Sequence, residues 1–136
     1  MTFVLDTNAV SALMKGDAAV VARLAATERT DVAIPHPVVA ELAFGIERLP
    51  RSRRRAVLQD RFDLVCSEIG PAEWTDAVSH AYGRIKAALE RRGTRIEDFD
   101  AAIAAHALAV DATLVTANVG HMTRVPGLRI EDWARE

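Results

Sequence analysis

Residues 2–8 read Thr2-Phe-Val-Leu-Asp-Thr-Asn8, in which an apolar run ends at the carboxylate of Asp6. An apolar run without polar alternation is typical of a strand that is buried on both faces of a sheet. Asp, Thr and Asn directly after such a run favour the start of a helix. We therefore predict a first strand at residues 2–5, with Asp6 at its carboxyl end.

Short apolar segments alternate with helical patterns along the rest of the chain. This alternation indicates a parallel sheet covered by helices, because a half-exposed strand would show polar alternation. The predicted fold class is α/β, and ligands of such sheets bind beyond the carboxyl ends of the strands. The predicted strands are residues 2–5, 32–34, 64–66, 112–115 and 128–130, and the predicted helices are residues 9–14, 18–26, 35–47, 51–62, 71–92 and 99–110.

The length and composition favour one globular domain. A chain of 136 residues can bury one core and is short for two ordinary domains, so we expect a single domain over residues 1–136. The chain is 50% hydrophobic and 26% charged, which argues against disorder, and it contains no apolar run long enough for a membrane span. The amino terminus lacks the basic region of a secretory signal, which favours a cytoplasmic protein without membrane contact.

The cysteine content excludes two kinds of structural site. Cys66 is the only cysteine, which excludes an intramolecular disulfide and any zinc site built from several thiolates. Its apolar neighbours Leu64 and Val65 predict that Cys66 is a buried strand residue.

The positive charge is concentrated in one segment. The formal net charge is −2, which gives no indication of nucleic-acid binding. Of the 17 basic residues, six nevertheless fall between Arg48 and Arg61, an interval in which Asp60 is the only acid. This segment is interpreted either as the solvated face of a helix or as a surface for phosphates or an acidic partner. The candidate contacts are Arg51, Arg53, Arg54 and Arg55.

Three carboxylates stand out from their surroundings. Asp6 either caps a helix or belongs to a site, since both roles suit an acid at a strand end. Glu41 is the only charged residue in residues 37–46, so we expect a buried carboxylate that needs a cation, a metal or several donors. Asp100 lies at the start of an apolar helix, where interaction with the helix dipole is the alternative explanation.

Convergence of these acids at one sheet edge would create a cation site. Carboxylates that lie close together repel one another unless a hard cation lies between them, and Mg²⁺ or Mn²⁺ is the usual cation for oxygen ligands. Such a site supports phosphodiester hydrolysis, because the cation offsets charge on the phosphoryl oxygens and activates water. Glu41 is the candidate to orient or deprotonate that water.

Four segments resemble the successive motifs of VapC-type toxins, which are ribonucleases of the PIN-domain family. The segments are residues 4–8, 39–45, 98–105 and 114–118, in the family's order and spacing. The resemblance implies a PIN-like three-layer fold, in which helices flank a short parallel sheet. It also implies Mg²⁺-dependent endoribonuclease activity on RNA and a cognate VapB-type antitoxin that blocks the site.

The resemblance assigns roles to individual residues. It identifies Asp6, Glu41 and Asp100 as the catalytic acids, with Asp6 and Asp100 binding the metal. Asp98 is a close rival for the third position, but the segment Ile103-Ala-Ala follows Asp100 at the family's distance. The supporting residues, which can hydrogen-bond the carboxylates or a metal-bound water, are Asn8, Thr116 and Asn118.

His121 occupies a position where the family usually has a further acid. We interpret its imidazole as peripheral, with a weak metal ligand or a phosphate contact as the alternatives. The number of metal ions, one or two, stays open, because Mg²⁺ and Mn²⁺ prefer oxygen donors.

The remaining histidines and aromatic residues suggest no further site. His106 lies in an alanine-rich helix and is interpreted as a packing residue. Trp74, Tyr82 and Trp133 are too scattered along the chain to predict a platform on which bases stack.

Two other functions fit parts of the pattern. A phosphatase of the haloacid-dehalogenase kind also has an Asp after its first strand, but it needs a second Asp two residues later, where this chain has Asn8. A PIN-like binding module without turnover is favoured only by the lost acid at position 121, and the retained acids argue against it. The resemblance further suggests a homodimer. The apolar surface of residues 9–14 and 18–26 makes a dimer plausible as well, since it exceeds what one small sheet can cover.

Overall fold

The computed structural model describes residues 2–135 and has the predicted α/β fold. In this part of the chain, five strands form a sheet in the order β3-β2-β1-β4-β5, and every neighbouring pair is parallel. The strands are β1 (Phe3–Leu5), β2 (Val32–Pro35), β3 (Pro71–Ala72), β4 (Thr113–Val115) and β5 (Arg129–Glu131).

Helices flank the sheet, and several begin at a side chain that caps their free N–H groups. Asp17, Ser52 and Thr75 each accept a hydrogen bond from a backbone N–H of the helix that follows. Within residues 2–135, none of the helices combines the length and the apolar character needed to cross a membrane. The helices are α1 (Thr7–Met14), α2 (Ala18–Ala25), α3 (His36–Glu47), α4 (Arg53–Glu68), α5 (Asp76–Arg91), α6 (Asp98–Ala109) and α7 (Val119–Met122), with short 3₁₀ turns at Arg29–Asp31 and Trp133–Arg135.

The middle strand, β1, lies where the chain changes its direction across the sheet. From β1 the chain moves outward to β2 and β3, and it then returns to place β4 on the other side of β1. Leu5 is in register with Val115, so the next residues, Asp6 and Thr116, meet at the carboxyl edge. In open parallel sheets this reversal of strand order is where ligands bind.

The most deeply buried helix is α6, and it carries one of the candidate acids. All seven residues from Ala101 to Ala107 are buried, and the helix packs against α5, α3 and the central strands. Five of those seven residues are alanine, whose small side chains let neighbouring elements approach closely. Asp100 therefore sits at the exposed amino end of a rigid element.

The structure corrects the prediction of a strand at residues 64–66. These residues continue α4, which runs without a break from Arg53 to Glu68. Leu58, Phe62 and Val65 recur at helical spacing and pack against the core. Cys66 is therefore a half-buried helix residue and not a buried strand residue.

The predicted helix at residues 71–92 is also wrong at its beginning. Pro71–Ala72 forms the short edge strand β3, in which Pro71 is in register with Ile34 of β2. An edge strand tolerates proline because one side of its backbone needs no ladder partner. The helix itself begins later, at Asp76.

Candidate active site

Asp6 is buried at the carboxyl end of β1, where only 2% of its surface is exposed. Its Oδ1 accepts a 2.7 Å hydrogen bond from the backbone N–H of Thr7, so the residue does cap α1. Its Oδ2 accepts a second bond of 2.7 Å from the hydroxyl of Thr116, beyond β4. The capping role and a place at the sheet edge therefore coexist in one side chain.

Thr116 connects Asp6 to the predicted supporting residues. The Asn8 amide donates to Thr116 Oγ1 at 3.2 Å, and the backbone N–H of Asn118 donates to the same oxygen at 2.9 Å. Asn8 Oδ1 in turn accepts the backbone N–H of Ala117 at 2.8 Å. Within residues 2–135, Asn118 joins this network through its backbone and not through its side chain.

Glu41 reaches the same region from α3. Its Oε1 accepts a 2.6 Å hydrogen bond from the hydroxyl of Thr7. The expectation that it is buried among apolar neighbours on every side is wrong, because Glu41 is half-buried and Ala40, Ala43 and Phe44 are exposed. One face of α3 is open to solvent, so the carboxylate needs no cation merely to remain charged.

Thr7 is the residue of the site that sequence reasoning missed. It contacts Asp6 through its N–H and Glu41 through its hydroxyl, and it therefore couples the two acids. Its position directly after Asp6 was visible in the sequence, but a threonine in a first helical turn is ordinarily explained as part of a cap.

Asp100 shares the electrostatic environment of the other two acids. Its pKa is raised from 3.8 to about 6, first by burial and then by the negative charges of Asp6 and Glu41. Asp98 instead is exposed and forms a 3.1 Å ion pair with Lys86. The structure therefore groups Asp6, Glu41 and Asp100 and leaves Asp98 outside the group.

The donor set fits a hard divalent cation held partly by water. Burial also raises the pKa of Asp6, against the effect of hydrogen bonds from Thr116, Thr7 and Asn8. Among residues 2–135, no three His, Cys, Asp or Glu side chains lie close enough together to enclose a metal ion. Mg²⁺ does not need such a cage, because it is usually held by one or two carboxylates and keeps several waters.

His121 and His106 lie in different surroundings. His121 is exposed on α7, and its charge lowers the pKa of Asp100, so the two side chains are neighbours. His106 is buried, and among the described residues its Nδ1 has no hydrogen-bond partner. Burial, together with the charge of His36, lowers the pKa of His106, which agrees with its interpretation as a neutral packing residue.

The arginine segment lies around the start of α4 and is only partly free. Arg55 pairs with Glu47 at 3.1 Å and donates to the Leu49 carbonyl at 3.1 Å. None of the hydrogen bonds within residues 2–135 joins this segment to the three acids. The members that are exposed and without an ion pair in this part of the chain are Arg51, Arg53 and Arg54.

The structure brings together two of the three aromatic residues that looked scattered. Trp74 and Tyr82 line one apolar cavity of about 450 Å³ with Phe99. Trp133 lies elsewhere and packs edge-on against Phe3, with ring centroids 5.3 Å apart. Trp74 and Tyr82 thus share a cavity although they are eight residues apart, and the expectation that these aromatic residues form no platform for bases stays a prediction.

The apolar surface that the sequence assigned to the first two helices is mostly covered. Val10 and Met14 of α1 and Val20 and Leu24 of α2 are buried in the core. The most exposed large hydrophobic residues lie elsewhere and are Phe44, Leu64 and Phe99. The homodimer therefore stays a prediction, although the core accounts for most of the apolar residues of α1 and α2.

Sequence comparisons place the chain in a family. The PIN domain family matches residues 3–128. The chain is 32% identical to the ribonuclease VapC2 of Rickettsia felis, over 98% of each sequence. It is 31% identical to the tRNA(fMet)-specific endonuclease VapC of Shigella flexneri, over 98% of this chain and 99% of that protein.

Solved structures give the same result for the fold. The VapBC2 structure from Rickettsia felis, bound to a DNA fragment of its promoter, matches with a TM-score of 0.87 and 29% identity over 98% of this chain and 99% of that one. The DNA-bound VapBC structure from Salmonella typhimurium matches with a TM-score of 0.88 and 28% identity, over 98% of each chain. With the sheet, the grouped acids and these matches in agreement, the chain belongs to the PIN domain family and, within it, to the VapC-type proteins.

Proposed function

We propose that this chain is a metal-dependent endoribonuclease and the toxin of a type II toxin–antitoxin pair. The observation that carries the proposal is the grouping of Asp6, Glu41 and Asp100 at the reversal of strand order, where the pKa of Asp100 is raised to about 6. Relatives named as ribonucleases that match nearly the whole chain support RNA as the substrate. Apart from the histidine at position 121, no feature of the described residues favours the alternative of a binding module without turnover.

Asp6 and Asp100 are the residues proposed to hold Mg²⁺ or Mn²⁺. The bound cation supplies positive charge that polarises the scissile phosphate. Asp6 is fixed in one orientation by Thr7 and Thr116, so little reorganisation is needed when a ligand binds. Asp100, with its raised pKa, takes up either a proton or a cation near neutral pH.

Glu41 is the residue proposed to orient and deprotonate the attacking water. It is half-buried, so water reaches it, and its Oε1 is held by the Thr7 hydroxyl. The second carboxylate oxygen has no hydrogen bond within residues 2–135 and is available to accept a proton. Asn8 and Thr116 act through Asp6 and are positioning residues.

The proposed partners are a VapB-type antitoxin and a second copy of this chain. The antitoxin follows from the solved relatives, which are VapBC complexes. A cytoplasmic location, where RNA substrates are found, belongs to the same proposal. The homodimer is tested by mass measurement in solution, and a strictly monomeric mass across micromolar concentrations would count against it.

The direct test compares RNA cleavage by the purified full chain in Mg²⁺ and in EDTA. Asp6→Asn and Asp100→Asn should lower the cleavage rate by more than about a hundredfold, since disturbing residues that only support a metal site already costs ~10–100-fold. Asn at position 6 still caps a helix, so folding should survive. Asp111→Asn is the matched control, because that carboxylate is exposed, is paired with Arg129 and belongs to no part of the proposed site.

The proposed function can also be tested by cell growth with the same variants. Expression without a partner should stop growth, and Asp6→Asn should relieve the arrest. A wild-type chain that neither cuts RNA in any divalent cation nor stops growth would refute the proposed function.

A further inference from the structure

We propose that a cavity beside the amino end of α6 binds a phosphate group of the RNA strand, next to the phosphate that is cleaved. The inference rests on the proposed function and extends it to how the substrate is held. The cavity has a volume of about 300 Å³ and is lined by Arg95, Ile96, Glu97, Asp98, His121 and Arg124. We call it the Arg95–Arg124 pocket.

The two guanidinium groups of the pocket have no acidic partner. Among residues 2–135, neither Arg95 nor Arg124 has a carboxylate within ion-pair distance. Arg124 Nη1 donates to the backbone carbonyl of Arg95 at 3.1 Å, which fixes that side chain in place. A guanidinium that is held in position but unpaired is suited to bind phosphate through its fork of N–H donors.

The charge balance of the pocket favours an anion. Lys86 compensates Asp98 through their 3.1 Å ion pair. Glu97 is then the one acid of the lining that offsets the charges of Arg95 and Arg124. The lining therefore carries one net positive charge when His121 is neutral. A phosphate in the pocket would therefore meet a net positive lining, although the chain as a whole carries a net charge of −2.

The amino end of α6 supplies further donors. Its N-cap residue, Glu97, makes no side-chain hydrogen bond to the helix. The first bond of the helix joins Ala101 N–H to the Glu97 carbonyl, so the N–H groups that precede Ala101 have no partner in the described chain. Such groups, with the helix dipole behind them, are a common binding site for phosphate.

The location of the pocket ties it to the acid site. Glu97 and Asp98 line the pocket and lie three and two positions before Asp100 at the start of α6, so the pocket borders that carboxylate. A strand of RNA whose scissile phosphate lies at Asp6 and Asp100 would bring a neighbouring phosphate to this border. Arg95 and Arg124 are accordingly assigned as substrate-positioning residues, outside the reacting group.

The principal test measures RNA binding as a function of salt. Arg95→Gln and Arg124→Gln are compared in an Asp6→Asn background, so that a short single-stranded RNA is bound and not cut. Each should weaken binding roughly tenfold at low salt and lower the slope of log affinity against log salt by about 0.7. Arg95 is the safer position, because its side chain makes no hydrogen bond to any part of residues 2–135 and its loss should leave folding intact.

Arg129→Gln is the matched control. It removes the same charge at the start of β5, at the edge of the sheet opposite the acids, where Arg129 pairs with the exposed Asp111. The control should leave the salt slope unchanged. Equal slopes for Arg95→Gln, Arg129→Gln and the parent chain would overturn the proposal.

A second arm does not depend on ribonuclease activity. Titration of the wild-type chain with inorganic phosphate, followed by NMR, should shift the signals of Arg95, His121 and Arg124 in preference to those of Arg129. Absence of these shifts would overturn the pocket as an anion site, even if the chain proved to cut RNA. Variants that weakened only antitoxin binding would identify a protein contact and would also overturn the proposal, whereas a chain that failed to cut RNA would refute the proposed function alone.

Discussion

The Thr116 hydroxyl donates a 2.7 Å hydrogen bond to Oδ2 of Asp6 and so links the first residues beyond β4 and β1. Both side chains are buried, and the same hydroxyl oxygen accepts bonds from Asn8 and from the Asn118 backbone. The carboxylate is therefore oriented by a group that is itself fixed from two sides. Loss of the hydroxyl should disturb the whole arrangement.

We expect Thr116→Val to lower RNA cleavage by ~10–100-fold, the usual cost of removing a group that orients a metal ligand. The valine has a similar shape, so the core stays filled, but Asp6, Asn8 and the Asn118 N–H each lose a hydrogen bond, at a cost of about 1–3 kcal/mol for each group left unsatisfied. Thr116→Ser keeps the hydroxyl and is the control. Wild-type turnover in Thr116→Val, measured under saturating Mg²⁺, would show that Asp6 needs no such support.

Replacement of Asp100 by asparagine should stabilise the protein at neutral pH in EDTA. The folded carboxyl has a pKa of about 6, above its ordinary value of 3.8, so folding favours its protonated form. Its contribution is favourable at low pH and is lost as the pH rises from about 4 through about 6. A shift of about two pKa units corresponds to about 3 kcal/mol, which screening of this half-buried group reduces to about 1 kcal/mol.

The measurement is thermal unfolding of wild type and Asp100→Asn at pH 7 and pH 4. The variant should melt a few degrees higher at pH 7, and the difference should shrink at pH 4. Mg²⁺ should raise the melting temperature of the wild type and have little effect on Asp100→Asn, because binding to the folded state stabilises it. A wild type that melts higher than Asp100→Asn at pH 7 without metal would contradict the grouping of the acids.

The arginine segment gives a prediction about salt. Replacement of Arg51, Arg53 and Arg54 by glutamine should lower the salt slope of RNA binding by up to about 2, if all three contact phosphates of a single strand. Arg55 is left in place because it holds Glu47 and the Leu49 carbonyl. The control removes three exposed, ion-paired arginines instead, Arg29, Arg129 and Arg135.

An unchanged salt slope in the Arg51, Arg53 and Arg54 variant would favour the other interpretation, in which the segment is only a solvated helix face. Antitoxin affinity should be measured on the same proteins, because an acidic partner segment could use this surface.

His121 is predicted to be replaceable. His121→Ala should keep most cleavage activity, because Asp6, Glu41 and Asp100 remain. His121→Asp should raise the pKa of Asp100 further. The variant replaces the histidine, whose charge lowers that pKa, by a carboxylate whose negative charge raises it. That variant should melt at a lower temperature without metal and bind Mn²⁺ more tightly. A His121→Ala enzyme as inactive as Asp6→Asn would contradict the peripheral role.

The sequence predicts the parts of the fold that follow a clear period. The strands β1, β2 and β4 and the helix α6 appear where the sequence has largely apolar runs between turn residues, and β5 appears around Ile130 although Arg129 and Glu131 flank that residue. The edge strand β3 was missed because two residues, Pro71 and Ala72, carry no period. The end of α4 was misread because three adjacent apolar residues resemble a strand when the earlier Leu58 and Phe62 are not counted with them.

The site, like the fold, has parts that the sequence predicts and parts that it does not. The three acids could be selected from the sequence because each lies at the end of an apolar element or inside one. The Arg95–Arg124 pocket and the cavity lined by Trp74, Tyr82 and Phe99 depend on how α5, α6 and α7 are placed in space. No local pattern encodes those placements, since they result from packing between elements that are distant in the chain.

The bond between Asp6 and Thr116 spans 110 positions of the chain. During synthesis, residues 3–5 leave the ribosome early, but the central position of β1 is completed only when β4 has emerged and paired with it. A growing chain therefore carries Asp6 and Glu41 without the geometry that joins them to Thr116 until β4 has formed. A fragment that ends before β4 lacks both the pairing partner of β1 and the hydroxyl that orients Asp6, so it should not acquire the assembled site.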